Sequence, residues 1–148
     1  EKRLAEVDPA VMAHQFAVNT IGPALLFKHF GPLLPRRARG VLATLSARVG
    51  SIEDNRRGGW ISYRSAKAAL NQVVRTTALE LRWRQPHAVC VGLQPGTVDT
   101  RLSAPWRSRA TEVLTPADST RRLLAVLDGL AAEASGGLYD HAGERIPG

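Results

Sequence analysis

The sequence predicts an α/β fold, a parallel sheet with helices wound on both of its faces, and three observations lead there. Two runs, VLATLSA (41–47) and HAVCVGL (87–93), are apolar and β-branched over strand length, as strands covered on both faces are. Stretches with helical signals lie before, between and after them, long enough to cross from one parallel strand to the next. Glycine and proline mark most of the junctions, at Gly40, Gly58–Gly59, Pro95–Gly96 and Gly136–Gly137.

In chain order, DPAVMAHQFAVNTIGPALLFKHF (8–30) reads as a long helix, with Asp8 at the N-cap and Pro9 in the first helical position. Gly40 releases the first strand, expected to be buried on both faces. After a Gly- and Arg-rich loop, residues 62 to about 84 form the clearest helix, with Leu70, Val73, Val74, Thr77 and Leu81 on one stripe. The second strand closes at Pro95–Gly96. TPADSTRRLLAVLDGLA (115–131) is a helix whose Thr115 and Asp118 are spaced as a capping pair. GGLYD (136–140) supplies a last short strand. In such sheets ligands lie beyond the carboxyl ends of the strands. The Ser46 region, the start of the Tyr63 helix and Pro95–Gly96 all fall there.

Composition narrows the function classes. The 148 residues suffice for one domain with a core, and no run approaches about 18 uninterrupted apolar residues. A single cysteine, Cys90, forbids an internal disulfide; it fits a reducing, cytoplasmic setting and a buried strand position. The net charge is +7, yet the basic residues are 17 arginines in scattered pairs against three lysines, with 5% aromatics. A nucleic-acid groove needs a continuous basic stripe, often with stacking rings, so nucleic acid is not an expected partner. The four histidines lack metal-ligand spacing, and G-x-S-x-G is absent, which weighs against a metal site and a serine hydrolase.

The chemistry concentrates in WISYRSAKAAL (60–70). Tyr63 is one of two tyrosines and Lys67 one of three lysines, and residues four apart on a helix lie about 5–6 Å from each other at Cβ. An ammonium there favours ionisation of the phenol, whose ordinary pKa of about 10 is high for a proton carrier near neutrality. A phenol so tuned gives a proton to a carbonyl oxygen or takes one from an alcohol. The bland alternative is a packed tyrosine and a lysine reaching into water. Chance alone would produce this spacing in roughly one such chain in twenty-five, so the pair by itself is only suggestive.

The context adds to it. SYRSAKAALNQVVRTTALEL resembles the Tyr-x-x-x-Lys helix of the short-chain dehydrogenase/reductase family, and LQPGTVDT its Pro-Gly turn. AVNTIGP is similar to its Asn-bearing helix, VLATLSARVGS to its serine-bearing strand, and GGLYDHAGERIP to the closing segment of its carbonyl-reductase branch. The resemblance covers nearly the whole chain. It implies a Rossmann-like doubly wound sheet and hydride transfer between a nicotinamide cofactor, NADP or NAD, and a carbonyl or alcohol. It also implies self-association into homodimers or homotetramers through the Asn19 and Tyr63 helices. By the resemblance Tyr63 is the acid/base, Lys67 tunes it and binds the nicotinamide ribose, a serine binds the substrate oxygen, and Asn19 holds a relay water. The resemblance also implies that Pro95, Gly96, Val98 and Thr100 lie against the nicotinamide, and residues 101–114 are expected to line the substrate pocket as a mobile lid. Asn19 has an argument of its own: Pro23, lacking an N–H, frees the Asn19 carbonyl four residues earlier.

Two departures bear on function. The family's serine falls on Ala47; Ser46 is the first substitute, Ser51 the second, and a site without a serine the third. Neighbouring strand side chains point to opposite faces, so Ser46 serves only where the strand has ended or twisted. No G-x-G-x-x-G occurs among the 13 glycines, so the pyrophosphate-binding turn is not in this chain. With the charged opening EKRLAEVDPA, which has no methionine, this reads as the C-terminal part of a Rossmann-like domain. An inactive or truncated homologue working as a binding or oligomerisation module is the other expectation.

Overall fold

The computed structural model describes residues 1–105 and 107–148, Arg109 as backbone only. The chain folds into α1 (Pro9–Phe16), α2 (Gly22–Phe30), β1 (Gly40–Leu45), α3 (Ile61–Arg84), β2 (Ala88–Gln94), α4 (Pro116–Gly129), β3 (Leu138–Asp140) and β4 (Arg145–Ile146), with short helical turns between them. The strands make one sheet in the order β1-β2-β3-β4. The first three are parallel and β4 returns antiparallel, so the sheet is mixed.

Alternation along β2 divides the core in two. Ala88 and Cys90 meet Phe27 of α2 and Val74, Ala78 and Leu81 of α3 on one face. Val89, Val91 and Leu93, with Tyr139, meet Leu123, Val126 and Leu127 of α4 on the other. The sheet is therefore doubly wound, as expected. Burying side chains such as Leu70, Val74, Val89 and Val91 contributes about 1.5–3 kcal/mol each before conformational entropy is counted. Cys90 is a free, buried thiol whose pKa burial pushes up to about 12, which leaves it unreactive.

The predicted caps form. Asp8 Oδ1 accepts from Val11 N–H at 2.9 Å, and Thr115 Oγ1 accepts from Asp118 N–H at 3.1 Å. Pro23 does not break its helix. A π-turn over Ala17–Ile21, in which Gly22 N–H reaches the Ala17 carbonyl, joins α1 to α2 just ahead of the proline. Such a widened turn relieves the clash between the Pro23 ring and the Asn19 carbonyl without ending the helix. The continuous helical stretch Pro9–Leu33 is also long and apolar enough to cross a membrane by length and composition alone, which counting uninterrupted runs had missed. One side of it packs on α3, and Val18, Ile21, Leu25, Leu26 and Phe30 are exposed.

Two features differ from the sequence expectation. β1 is half-buried rather than covered on both faces: Val41 and Leu42 pack to opposite sides, while Leu45 is 58% exposed. β1 lies at the sheet edge, so fewer neighbours reach it than reach β2, whose interior position buries Ala88 to Leu93 completely. The closing segment forms a hairpin rather than one strand. Asp140 Oδ1 accepts from the N–H groups of Ala142 and Glu144, both at 3.0 Å, and Gly143 takes φ +86°.

Candidate active site

β1 and β2 end level with each other. Leu45 pairs with Leu93, and Ser46 N–H donates to the Leu93 carbonyl at 2.7 Å. α3 packs on β2 and on the turn that follows β1, and Lys67 reaches the end of β1. Lys67 Nζ donates to the Leu45 carbonyl at 3.0 Å and lies 5.8 Å from the centroid of the Tyr63 ring, within cation–π range. The sequence spacing therefore becomes a real pair.

Its electrostatics differ from the simple expectation. Burial raises the Tyr63 pKa above its ordinary value and lowers that of Lys67. Desolvation disfavours the charged form of each, and it is the cause of both shifts. The phenol accordingly stays protonated, the form that can give a proton.

Contacts far apart in sequence fix the helix that carries the pair. α3 has no cap of its own: Trp60, at its N-cap, is left-handed at φ 51°, following Gly58 and Gly59 at positive φ. Glu1 caps it instead, with Oε1 accepting from Ser62 N–H at 3.0 Å and from the Ser62 hydroxyl. These bonds hold the Glu1 carboxyl below the usual range. Arg64 Nε donates to the Gly59 carbonyl at 2.9 Å and Nη1 to the Val49 carbonyl at 3.2 Å, and its guanidinium sits 5.8 Å from the Trp60 ring. Thr20 Oγ1 donates to the Ala66 carbonyl at 2.8 Å, seating the π-turn one residue from Lys67.

The remaining sequence candidates are placed as follows. Asn19 lies in the π-turn, with Nδ2 donating to Gln15 Oε1 at 2.8 Å. Ser46 is buried, and its Oγ donates to Asn71 Oδ1 at 2.6 Å. Strand geometry persists beyond β1, since Ala47 is extended at φ −155°, ψ 146°. Ser51 Oγ donates to the Gly148 carbonyl at 2.9 Å. Pro95 accepts at its carbonyl from Ser119 Oγ at 2.8 Å, and Gly96 turns at φ +79° with its N–H on Gln94 Oε1. Val98 bridges to Leu114, and Thr100 N–H donates to Ser103 Oγ at 3.2 Å. Trp106, within the expected lid, lies outside the described residues.

Sequence reasoning missed Thr20, Arg64 and Asn71. Only Asn71 left a signal, since it continues the four-residue spacing of Tyr63 and Lys67 along α3. A cavity of about 640 Å³ lies away from the pair, between α3 and β3–β4, lined by Asn71, Arg75, Leu138 and Arg145 among others; neither Tyr63 nor Lys67 lines it. Among the described residues, no group of three His, Cys, Asp or Glu is placed to hold a metal.

The fold and the Tyr–Lys helix at the strand ends define a class, and comparison with known proteins agrees. The short chain dehydrogenase family profile matches residues 1–111, and the chain belongs to that family. The chain is 38% identical over 145 residues to the C-signal of Myxococcus xanthus, covering 97% of this chain and 82% of that protein. Among solved structures it is similar to the carbonyl reductase Sniffer of D. melanogaster, with TM-score 0.86, 26% identity and 99% of this chain covered. It is also similar to the NADPH-bound carbonyl reductase from chicken fatty liver, with TM-score 0.82, 27% identity and 100% of this chain covered. The chain spans 60% and 62% of those two reductases.

Proposed function

We propose that this chain supplies the proton-transfer half of a nicotinamide-dependent reductase that interconverts a carbonyl and an alcohol, with NADP as the dinucleotide. The observation that carries this reading is the pair of half-buried Tyr63 and buried Lys67 at the carboxyl end of β1 in a member of the short chain dehydrogenase family. The NADPH-bound chicken reductase supports the choice of dinucleotide.

The residues present fit the nicotinamide end of that cofactor. Lys67 donates one N–H to Leu45 and keeps two for a ribose, and the Pro95–Gly96 turn follows directly on the end of β2, with Val98 and Thr100 next in the chain. The pyrophosphate end finds no glycine-rich turn in this chain. A bound nicotinamide supplies or accepts the hydride. Tyr63 then gives its phenolic proton to the carbonyl oxygen, or takes it back from the alcohol. The Lys67 ammonium stabilises the phenolate that results. Asn19, next to the Thr20 anchor, holds the relay water. Ser46 ties β1 to α3 through Asn71, and its hydroxyl reaches a substrate oxygen only by giving up that bond. The exposed apolar side chains of α1 and α2 support self-association as a homodimer or homotetramer. The free, unreactive Cys90 suits a cytoplasmic location.

The test is Tyr63→Phe in a protein that carries the dinucleotide-binding half. It keeps the ring and removes the proton, and turnover should fall about 10²–10⁴-fold with cofactor affinity nearly unchanged. Near-normal turnover would refute the role of Tyr63. In the same protein Ser46→Ala separates a tie from a substrate donor, since losing a donor to a developing oxyanion lowers kcat about 10²-fold or more. Ala47→Ser should raise activity if position 47 faces the substrate.

A second reading has its own observation: the chain spans 82% of the C-signal against about 60% of the reductases. A short form of this length would act as a binding or association module without cofactor, and a chain that signals or assembles equally well as Tyr63→Phe would favour it.

A further inference from the structure

We propose that Ser51 is a positioning residue for Lys67: its hydroxyl latches the segment after β4 onto the loop after β1, and the latched loop holds the lysine in place. The inference rests on the reading of Lys67 as the lysine of the site.

Four observations connect in series. Ser51 is 2% exposed, and its Oγ donates to the Gly148 carbonyl at 2.9 Å while accepting from Asp54 N–H at 3.0 Å. Glu53 N–H gives the same Gly148 oxygen a second bond at 2.8 Å, so the latch is two-pronged. The residue before Ser51, Gly50, is buried against the backbone of α3, where an added Cβ would lie 2.8 Å from both the carbonyl carbon and Cβ of Lys67. The same loop follows directly on Leu45, the last residue of β1, whose carbonyl receives Lys67 Nζ at 3.0 Å. The loop therefore presses on the backbone of Lys67 at Gly50 while the strand end that leads into it receives the ammonium, and Ser51 closes the loop onto the segment after β4.

The physical need for a latch follows from the burial of Lys67, which is only 7% exposed. A buried ammonium is unfavourable unless its acceptor is held in place, and a long aliphatic stem lets it swing out to water when the acceptor moves. The hydroxyl proton of Ser51 is committed to Gly148, which gives this serine a function distinct from binding a substrate oxygen.

The chain has three lysines, so amine reactivity reports on each of them. Competitive reductive methylation of the folded 148-residue chain, read by mass spectrometry, gives the labelling rate of Lys67 relative to exposed Lys28. In the unsubstituted chain Lys67 should label about tenfold more slowly or less, because a buried amine reacts through local opening. Ser51→Ala should raise that ratio about five- to tenfold, the loss of one buried hydrogen bond, and Ser51→Thr, which keeps the hydroxyl, should restore it. Val91→Ala, which opens a void on the α4 face, controls for destabilisation without touching the latch and should leave the ratio unchanged. An unchanged ratio in folded Ser51→Ala, or an equal rise in Val91→Ala, overturns the proposal. If Ser51→Ala does not fold, deletion of Pro147 and Gly148 removes the acceptor and must raise the ratio in its place. Labelling needs no turnover, so its failure is distinguishable from a failure of the reductase reading, which Tyr63→Phe tests.

Discussion

Gly50→Ala tests the closest approach in the lysine site. The new Cβ would sit 2.8 Å from the Lys67 carbonyl carbon and Cβ and 2.9 Å from the Lys67 carbonyl oxygen, whereas ordinary contact begins at 3.4–4 Å. Two of these three atoms belong to backbone in the middle of a hydrogen-bonded helix, so no side-chain rotation relieves the clash. The loop must retreat by at least the difference between 2.8 and 3.4 Å. Overpacking of this kind costs about 1–3 kcal/mol. For a domain of this size that lowers Tm by about 3–10 °C. Gly58→Ala is the matched control. Gly58 has φ +63° but nothing within 4 Å of an added Cβ, so only backbone strain of about 1 kcal/mol applies. Thermal melts of the two variants by circular dichroism decide the matter. A Gly50→Ala chain as stable as the unsubstituted protein, or no less stable than Gly58→Ala, would mean that the loop does not press on α3 as described.

Lys67→Met should change the pH dependence of stability. Burial lowers the folded-state pKa of Lys67 below its ordinary value of 10.5, so the unfolded chain binds the extra proton between those two values and stability rises with pH across that window. Methionine removes this dependence, so the stability of the variant relative to the unsubstituted chain should decline by up to about 1.4 kcal/mol for each pH unit of the window as pH rises toward 10.5. Urea titrations from pH 7 to 10.5 that gave a constant difference would contradict a desolvated lysine. Calorimetric titration of the 148-residue chain with NADPH and NADH should show no micromolar binding, because the turn that holds a pyrophosphate is not in it; such binding would show that the adenosine half is dispensable. Ile21→Asp combined with Leu25→Asp should shift sedimentation toward monomer if α1 and α2 form the self-association face, and an unchanged profile would move that face elsewhere.

What the sequence determined by itself is local or periodic. Tyr63 and Lys67 share a helix face because 3.6 residues per turn places residues four apart together in any helix. Asp8 and Thr115 cap their helices through bonds to residues three positions away, and the unbroken apolar run of β2 foretold an interior strand. Each of these rests on a spacing that the backbone repeats wherever it occurs. Tertiary structure alone decided the rest. Burial, and not the neighbouring ammonium, sets the state of Tyr63, because desolvation depends on everything packed around the pair. The α3 cap comes from Glu1, sixty-one residues away, and the grip on Gly148 from Ser51, ninety-seven away. Ser46 is drawn to Asn71 across twenty-five residues, and β1 stays half-exposed because it lies at the sheet edge. No period or motif encodes such contacts, since the two partners approach only after every intervening element has packed.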